Sequence, residues 1–172
     1  YSFFTPNVFT TISLVVSLIG LYNIYKQNYK IGSLLMFVGY FFDCMDGHFA
    51  RKYNMVTEFG DKYDHIADLS KFVLLIIVIL KSKLNRKTKK LFLIFFTINT
   101  ILACIHFGCQ EQFYNLDSVL TYLTKLCPRK EDITWIRYFG SGNSMTMVSL
   151  FVFFLKEINA KVIKNKNKLK FL

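Results

Sequence analysis

The chain has 172 residues, of which 53% are hydrophobic and 17% aromatic, with 19 Phe and only 2 Pro. That composition, with a mean hydropathy of +0.33, excludes an ordinary water-soluble domain and predicts a single all-α membrane domain, 1–172, built as a polytopic helical bundle. The formal net charge of +11 comes mostly from two basic runs, 81–90 and 156–170, which flank apolar segments; this fits anionic headgroups and argues against nucleic acid as a partner.

In chain order, the first predicted span is 8–25, just short of the ~20 residues that cross a bilayer. Pro6 and Asn7 suit a helix start. No basic segment precedes the apolar run and further spans follow, so it reads as a span and not as a signal peptide. The chain opens on Tyr, so its N-terminus reads as trimmed, and its C-terminus is open to the same reading. A short linker, 26–30, allows only a tight reversal. The second span begins near Ile31, is apolar to Phe42, and continues as helix through Ala50. Residues 51–59 read as a turn or interfacial segment. The third span is 60–80 and the fourth 91–107. Residues 113–126 make a poor candidate span, because Asp117 and Lys125 interrupt it. A further span, 133–155, is punctuated by Gly140-Ser141-Gly142-Asn143. Five spans are clear. Cys44, Cys104, Cys109 and Cys127 show neither a C-x-x-C pair nor zinc spacing, and read as isolated thiols in membrane helices.

The acids are placed unevenly. No carboxylate precedes Asp43 and none lies between Leu69 and Gln110, yet six of the eleven fall between Asp43 and Asp68. An aspartate at mid-bilayer depth costs roughly 2.5–3.5 kcal/mol on insertion scales. Four of them facing lipid would cost on the order of 10 kcal/mol, so they must face a wet or protein-lined cavity and be neutralised there. Asp43, Asp46, Gly47 and Ala50 lie along one side of the second span; Gly60, Asp64 and Asp68 repeat every four residues along the third. Side by side, the two helices bring both acid pairs together, and Gly47, Ala50 and Gly60 keep bulk away. Four carboxylates are hard oxygen ligands suited to one or two divalent cations, and two such ions at ~3.5–4 Å serve phosphoryl chemistry. Arg51, just past the acids, can fork onto a phosphate oxygen.

The same residues spell D-x-x-D-G-x-x-A-R-x8-G-x-x-x-D-x-x-x-D, with all eight fixed positions present over Asp43–Asp68. The chain therefore resembles the CDP-alcohol phosphatidyltransferase family, membrane enzymes of phospholipid head-group assembly, and Thr5-Pro6-Asn7 is similar to that family's approach to its first helix. The resemblance implies six transmembrane helices, a homodimer in the lipid bilayer, and an active site at the cytosolic face. It implies Mg²⁺ or Mn²⁺, two ions per site, on Asp43, Asp46, Asp64 and Asp68. Asp68 would also act as the base, and Gly47, Ala50, Arg51 and Gly60 would bind the CDP moiety. The implied reaction is attack of an alcohol on the β phosphorus of a CDP-linked donor, with CMP leaving.

The donor is expected to be CDP-diacylglycerol, with CDP-choline or CDP-ethanolamine acting on diacylglycerol as the alternative. Membrane prenyltransferases use differently spaced acidic motifs. A divalent-cation transporter would also line its path with carboxylates, but would not need Gly47-x-x-Ala50-Arg51. Asp61 falls about 100° off the Gly60 stripe and reads as solvated or supporting. Lys71, Arg137 and Tyr138 are candidates for an acceptor pocket, with interfacial snorkelling as the default. His48 and His65 are not needed by a hard-oxygen site, His106 in its apolar span reads as a hydrogen-bonded interior residue, and Asn7 reads equally as a cap or a nucleotide contact. Five spans would put the motif outside under the positive-inside rule; six roughly cancel the bias, and a cytosolic site favours six.

Overall fold

A computed structural model describes residues 5–114, 121–127 and 133–168 of the chain, and every element among them is helical. Helix α1 spans Pro6–Tyr25, α2 Tyr29–Lys52, α3 Glu58–Lys81 and α4 Arg86–Tyr114. After a six-residue 3-10 helix at Thr121–Leu126 come α5 at Ile133–Ile136, a 3-10 turn at Arg137–Phe139, α6 at Ser141–Phe153 and α7 at Leu155–Lys168. The helices α1 and α4 are long and apolar enough to cross a membrane.

Local chemistry sets the helix ends. Thr5 is extended and Pro6 occupies the first turn of α1, where its missing N–H costs nothing. The helix stops at a left-handed Gln27, φ 67°. The N–H groups of Lys26, Gln27 and Asn28 fold back onto the carbonyls of Tyr22, Ile24 and Asn23 at 2.9–3.0 Å, so carbonyls of the last turn are satisfied. Asn54, φ 53°, ends α2 in the same way, with the Met55 N–H on the Ala50 carbonyl at 2.8 Å. Thr57 then caps α3, its hydroxyl accepting from the Gly60 N–H at 3.0 Å. Glu58 and Asp61 in that first turn complement the helix dipole.

The described residues fall into two compact units, one drawn from 1–89 and 149–172, the other from 90–148. In the first unit α1 and α2 run antiparallel in one fixed register. Thr10 faces Asp46, Ser13 faces Asp43, and Gly39 sits against Ser17. A Cβ on Gly20 would lie 3.1 Å from the Met36 backbone nitrogen, and one on Gly32 would lie 2.7 Å from the Gly20 carbonyl oxygen. Small residues thus let the two backbones approach closely, the usual basis of helix association in lipid, where apolar burial drives little. The outward faces carry Val15, Ile19, Leu34 and Phe41, all exposed, as suits side chains against acyl chains. At the opposite end from the acids, Asn159 of α7 accepts at 2.9 Å from both the Asn85 N–H and the Thr88 hydroxyl. Lys30 pairs with Glu157 at 3.3 Å.

In the second unit, Asn99 donates to the Ser144 hydroxyl at 2.6 Å across α4 and α6. Cys109 and Cys127 form a disulfide packed with the fully buried Ile136. This corrects the reading of these two cysteines as isolated thiols; Cys44 and Cys104 are free.

Two segments differ from the sequence reading, the poor candidate 113–126 and the expected span 133–155. Residues 113–114 end α4, 115–120 lie outside the described residues, and 121–126 form the short 3-10 helix, so no continuous span covers 113–126 among the described residues. The segment 133–155 is not one helix either: it breaks at Arg137–Gly140 and again at Phe154. Gly140 leaves helical geometry (ψ 166°), and the Gly-Ser-Gly run has little intrinsic preference to carry a helix through.

Candidate active site

Helix α1 positions the acids of α2. Thr10, buried, donates from Oγ1 to Asp46 Oδ2 at 2.6 Å. One turn further, Ser13, fully buried, donates to Asp43 Oδ1 at 3.1 Å. Both hydroxyls sit three residues apart on α1, matching the three-residue step between the two aspartates on α2. Rings close the same end: Phe9 lies 5.4 Å from Phe49, which lies 4.5 Å from Tyr53. Thr11 and Tyr63 share a hydrogen bond at 3.1 Å, tying α1 to α3.

Helix α3 brings Asp64 and Asp68 to the same place. Asp43, Asp64 and Asp68 each offer a carboxylate oxygen, and these oxygens all lie within 4.8 Å of one another. Asp64 Oδ1 is buried and has no hydrogen-bond partner among the described residues. A buried acceptor left without a donor is costly unless something else satisfies it. Asp46 lies outside the triple, buried against Thr10.

Lys71 sits inside the cluster. Its Nζ is 2.6 Å from Asp43 Oδ1 and 2.7 Å from Asp68 Oδ1, and it donates to Ser13 Oγ at 3.1 Å. The residue is 7% exposed. Sequence reasoning placed Lys71 with acceptor-pocket residues; the structure places its ammonium directly against two of the acids. Thr10 and Ser13 were missed altogether. The signal was present, since Thr10, Ser13 and Ser17 make a polar stripe at helical spacing on an otherwise apolar helix.

The small residues of the motif have identifiable neighbours. Arg51 folds back over Gly47: a Cβ there would meet its guanidinium nitrogens at 3.3 and 3.4 Å. A Cβ on Gly60 would stand 3.0 Å from Thr57 Oγ1 and 3.1 Å from Asn7 Oδ1. Asn7 therefore does not cap α1; its side chain reaches across to the start of α3. Arg51 is exposed and Ala50 half-buried.

Asp61 is exposed, with its carboxylate 3.8 Å from His65 Nδ1, and that nitrogen also lies 2.8 Å from the Asp61 carbonyl. His48 is exposed. Arg137 and Tyr138 belong to the second unit, where the guanidinium lies 5.4 Å from the Tyr138 ring centre. His106 lies in the same unit, with Nε2 beside Gly140.

Carboxylates converging between α2 and α3, with one buried oxygen unpartnered among the described residues, define an acidic site of the hard-oxygen type. The donor set fits Mg²⁺ or Mn²⁺ better than a soft metal.

The chain belongs to the CDP-alcohol phosphatidyltransferase family, whose family model matches residues 3–127. It is 38% identical over 79 residues to a CDP-diacylglycerol--glycerol-3-phosphate 3-phosphatidyltransferase of Rickettsia felis, covering 44% of each chain. It is 36% identical over 64 residues to an archaetidylinositol phosphate synthase of Pyrococcus horikoshii, covering 37% of this chain and 34% of that one. A Rickettsia typhi protein with the same printed activity as the R. felis one is 39% identical over 66 residues, 37% of each chain. The chain thus spans less than half the length of these relatives. No solved structure matches it.

Proposed function

We propose that the protein transfers a phosphatidyl group from CDP-diacylglycerol to a small alcohol and releases CMP, as a multi-pass membrane enzyme of phospholipid synthesis. The observation that carries this reading is the carboxylate triple Asp43, Asp64 and Asp68 inside the family's motif. CDP-diacylglycerol is favoured over CDP-choline or CDP-ethanolamine because the printed names of the R. felis and R. typhi relatives specify that donor.

In this proposal Asp43, Asp46, Asp64 and Asp68 hold Mg²⁺ or Mn²⁺, two ions per site. Bound there, the ions neutralise the diphosphate and polarise the phosphorus under attack. The chain's own residues do the rest. Gly47, Ala50 and Gly60 leave space beside the acids for the CDP moiety, and Arg51, exposed above Gly47, binds a phosphate oxygen in forked geometry. Asp68 accepts the proton of the acceptor hydroxyl as its oxygen bonds to the β phosphorus. The bond from that phosphorus to the bridging oxygen breaks, and CMP carries the electron pair away. Six spans, a homodimer and a cytosolic site are part of the same proposal and rest on the family resemblance.

The test is CMP release by purified protein with Mn²⁺, using labelled CDP-diacylglycerol with glycerol phosphate, inositol phosphate, inositol or serine as acceptor, or labelled CDP-choline with diacylglycerol. CMP from CDP-diacylglycerol with one of these acceptors is expected. CMP from CDP-choline with diacylglycerol alone would transfer the reading to the other branch. No CMP from any donor, together with metal flux in vesicles, would replace it with a transporter.

A further inference from the structure

The acid cluster already contains a cation of its own. Lys71 Nζ contacts one oxygen of Asp43 on α2 and one of Asp68 on its own helix, at 2.6 and 2.7 Å. Ser13 Oγ lies 3.1 Å away on α1. Three helices therefore converge on one ammonium, which is as buried as a core residue. Asp68 is the next residue up the same helical face, three positions earlier, so the pair is built into α3. Two of the three carboxylates that approach within 4.8 Å of one another are engaged by this group. Asp64 is not, and its Oδ1 is left without a partner among the described residues.

We infer that Lys71 is a positioning residue: it holds Asp43 and Asp68 together before metal arrives and competes with metal for their oxygens. The inference rests on the metal reading proposed above. Like charges this close would push α2 and α3 apart in the metal-free protein, and the ammonium cancels one of them. A divalent ion needs the same oxygens, so it binds against the lysine. Asp64, whose buried Oδ1 has no partner among the described residues, would be the first acid to hold a metal ion, and Asp43 and Asp68 would become available to it as Lys71 withdraws. Because the side chain is long and flexible, withdrawal needs only rotamer changes, not movement of α3.

The experiment measures Mn²⁺ binding to the full chain in nanodiscs without nucleotide, by calorimetry or by loss of the free-ion electron-spin signal. Thermal melting is recorded with and without Mn²⁺. Lys71→Met is expected to tighten Mn²⁺ binding about tenfold, because a buried competitor has gone and the uncompensated carboxylates gain most from a new cation. The same variant should melt lower than wild type without metal and show a larger Mn²⁺-induced rise. Lys71→Gln keeps hydrogen-bond donors and removes only the charge, so it gives the same reading if Lys71→Met fails to fold. Mn²⁺ affinity that falls or stays constant in both variants, with wild type binding normally, overturns the competition and leaves the metal site standing. Wild type that binds no Mn²⁺ overturns the metal site and this inference together. A merely structural lysine would lower the melting point without tightening metal binding.

Discussion

Thr10 and Asp46, thirty-six residues apart, share a 2.6 Å hydrogen bond in which both side chains are buried. The first helix therefore aims an acid of the second. Removing the donor leaves a buried carboxylate oxygen unsatisfied, which costs ~1–3 kcal/mol and more when the group is charged. Thr10→Val keeps the shape and removes the hydroxyl. It is expected to lower stability by about 2 kcal/mol and to reduce CMP release, while Thr10→Ser, which restores the donor, recovers both. Denaturant titration and the CMP assay on the two variants check this. Equal behaviour of Val and Ser would mean that the bond does not orient Asp46.

The close approach of α1 and α2 makes a second prediction. A Cβ on Gly32 would lie 2.7 Å from the Gly20 carbonyl oxygen, and backbone cannot swing aside as a side chain can. Gly32→Ala should therefore force the helices apart and cost about 1–3 kcal/mol. The control is Val15→Ala on the exposed outer face, where the loss should be within ~0.5 kcal/mol. Melting curves in detergent compare the two. An unaffected Gly32→Ala protein would show that α1 and α2 pack less tightly than described.

Some of this architecture was legible in the sequence and some was not. The acid spacing is readable because helical period alone puts Asp43 with Asp46 and Asp64 with Asp68 on single faces. Their mutual approach follows once two apolar helices must bury four charges. The partner of each acid was not readable, since periodicity assigns a residue to a face and says nothing about which neighbouring helix supplies the hydroxyl. Lys71 looked like a snorkelling cation because long basic side chains usually reach for water; here the nearer carboxylates won. The Cys109–Cys127 pair was missed because its 18-residue separation carries no local signature. The fifth apolar segment reads as one span, punctuated at Gly140, because hydrophobic content does not show whether a helix passes through such a run or breaks at it.

Asn159 offers a prediction away from the acids. Its Oδ1 accepts from the Asn85 N–H and from the buried Thr88 hydroxyl, so it ties α7 to the start of α4 using only its acceptor. Asn159→Asp keeps that acceptor and should leave α7 docked. Asn159→Ala strands the Asn85 N–H and should cost about 1–2 kcal/mol, read as faster hydrogen exchange through α7 and a lower melting temperature. Faster exchange in the Asp variant as well would mean that the amide nitrogen matters, contrary to the geometry.

The last prediction separates metal ligation from proton transfer. Among the described residues Asp64 has a buried, unpartnered oxygen and no lysine paired with it, so Asp64→Asn is expected to weaken Mn²⁺ binding at least about tenfold, equivalent to ~1.4 kcal/mol. Chelation of the wild-type protein should abolish CMP release, and excess Mn²⁺ should restore it. Asp68 has a different environment: it is bonded to Lys71, and its side chain is 40% exposed, open to an incoming acceptor. If it takes the acceptor's proton, Asp68→Asn lowers kcat by a factor on the order of 10²–10⁴, the usual contribution of a positioned base. It should do so under saturating Mn²⁺, where weakened ligation can no longer explain the loss. Recovery of kcat in Asp68→Asn on raising Mn²⁺ would assign Asp68 to metal binding alone and move the base elsewhere in the cluster.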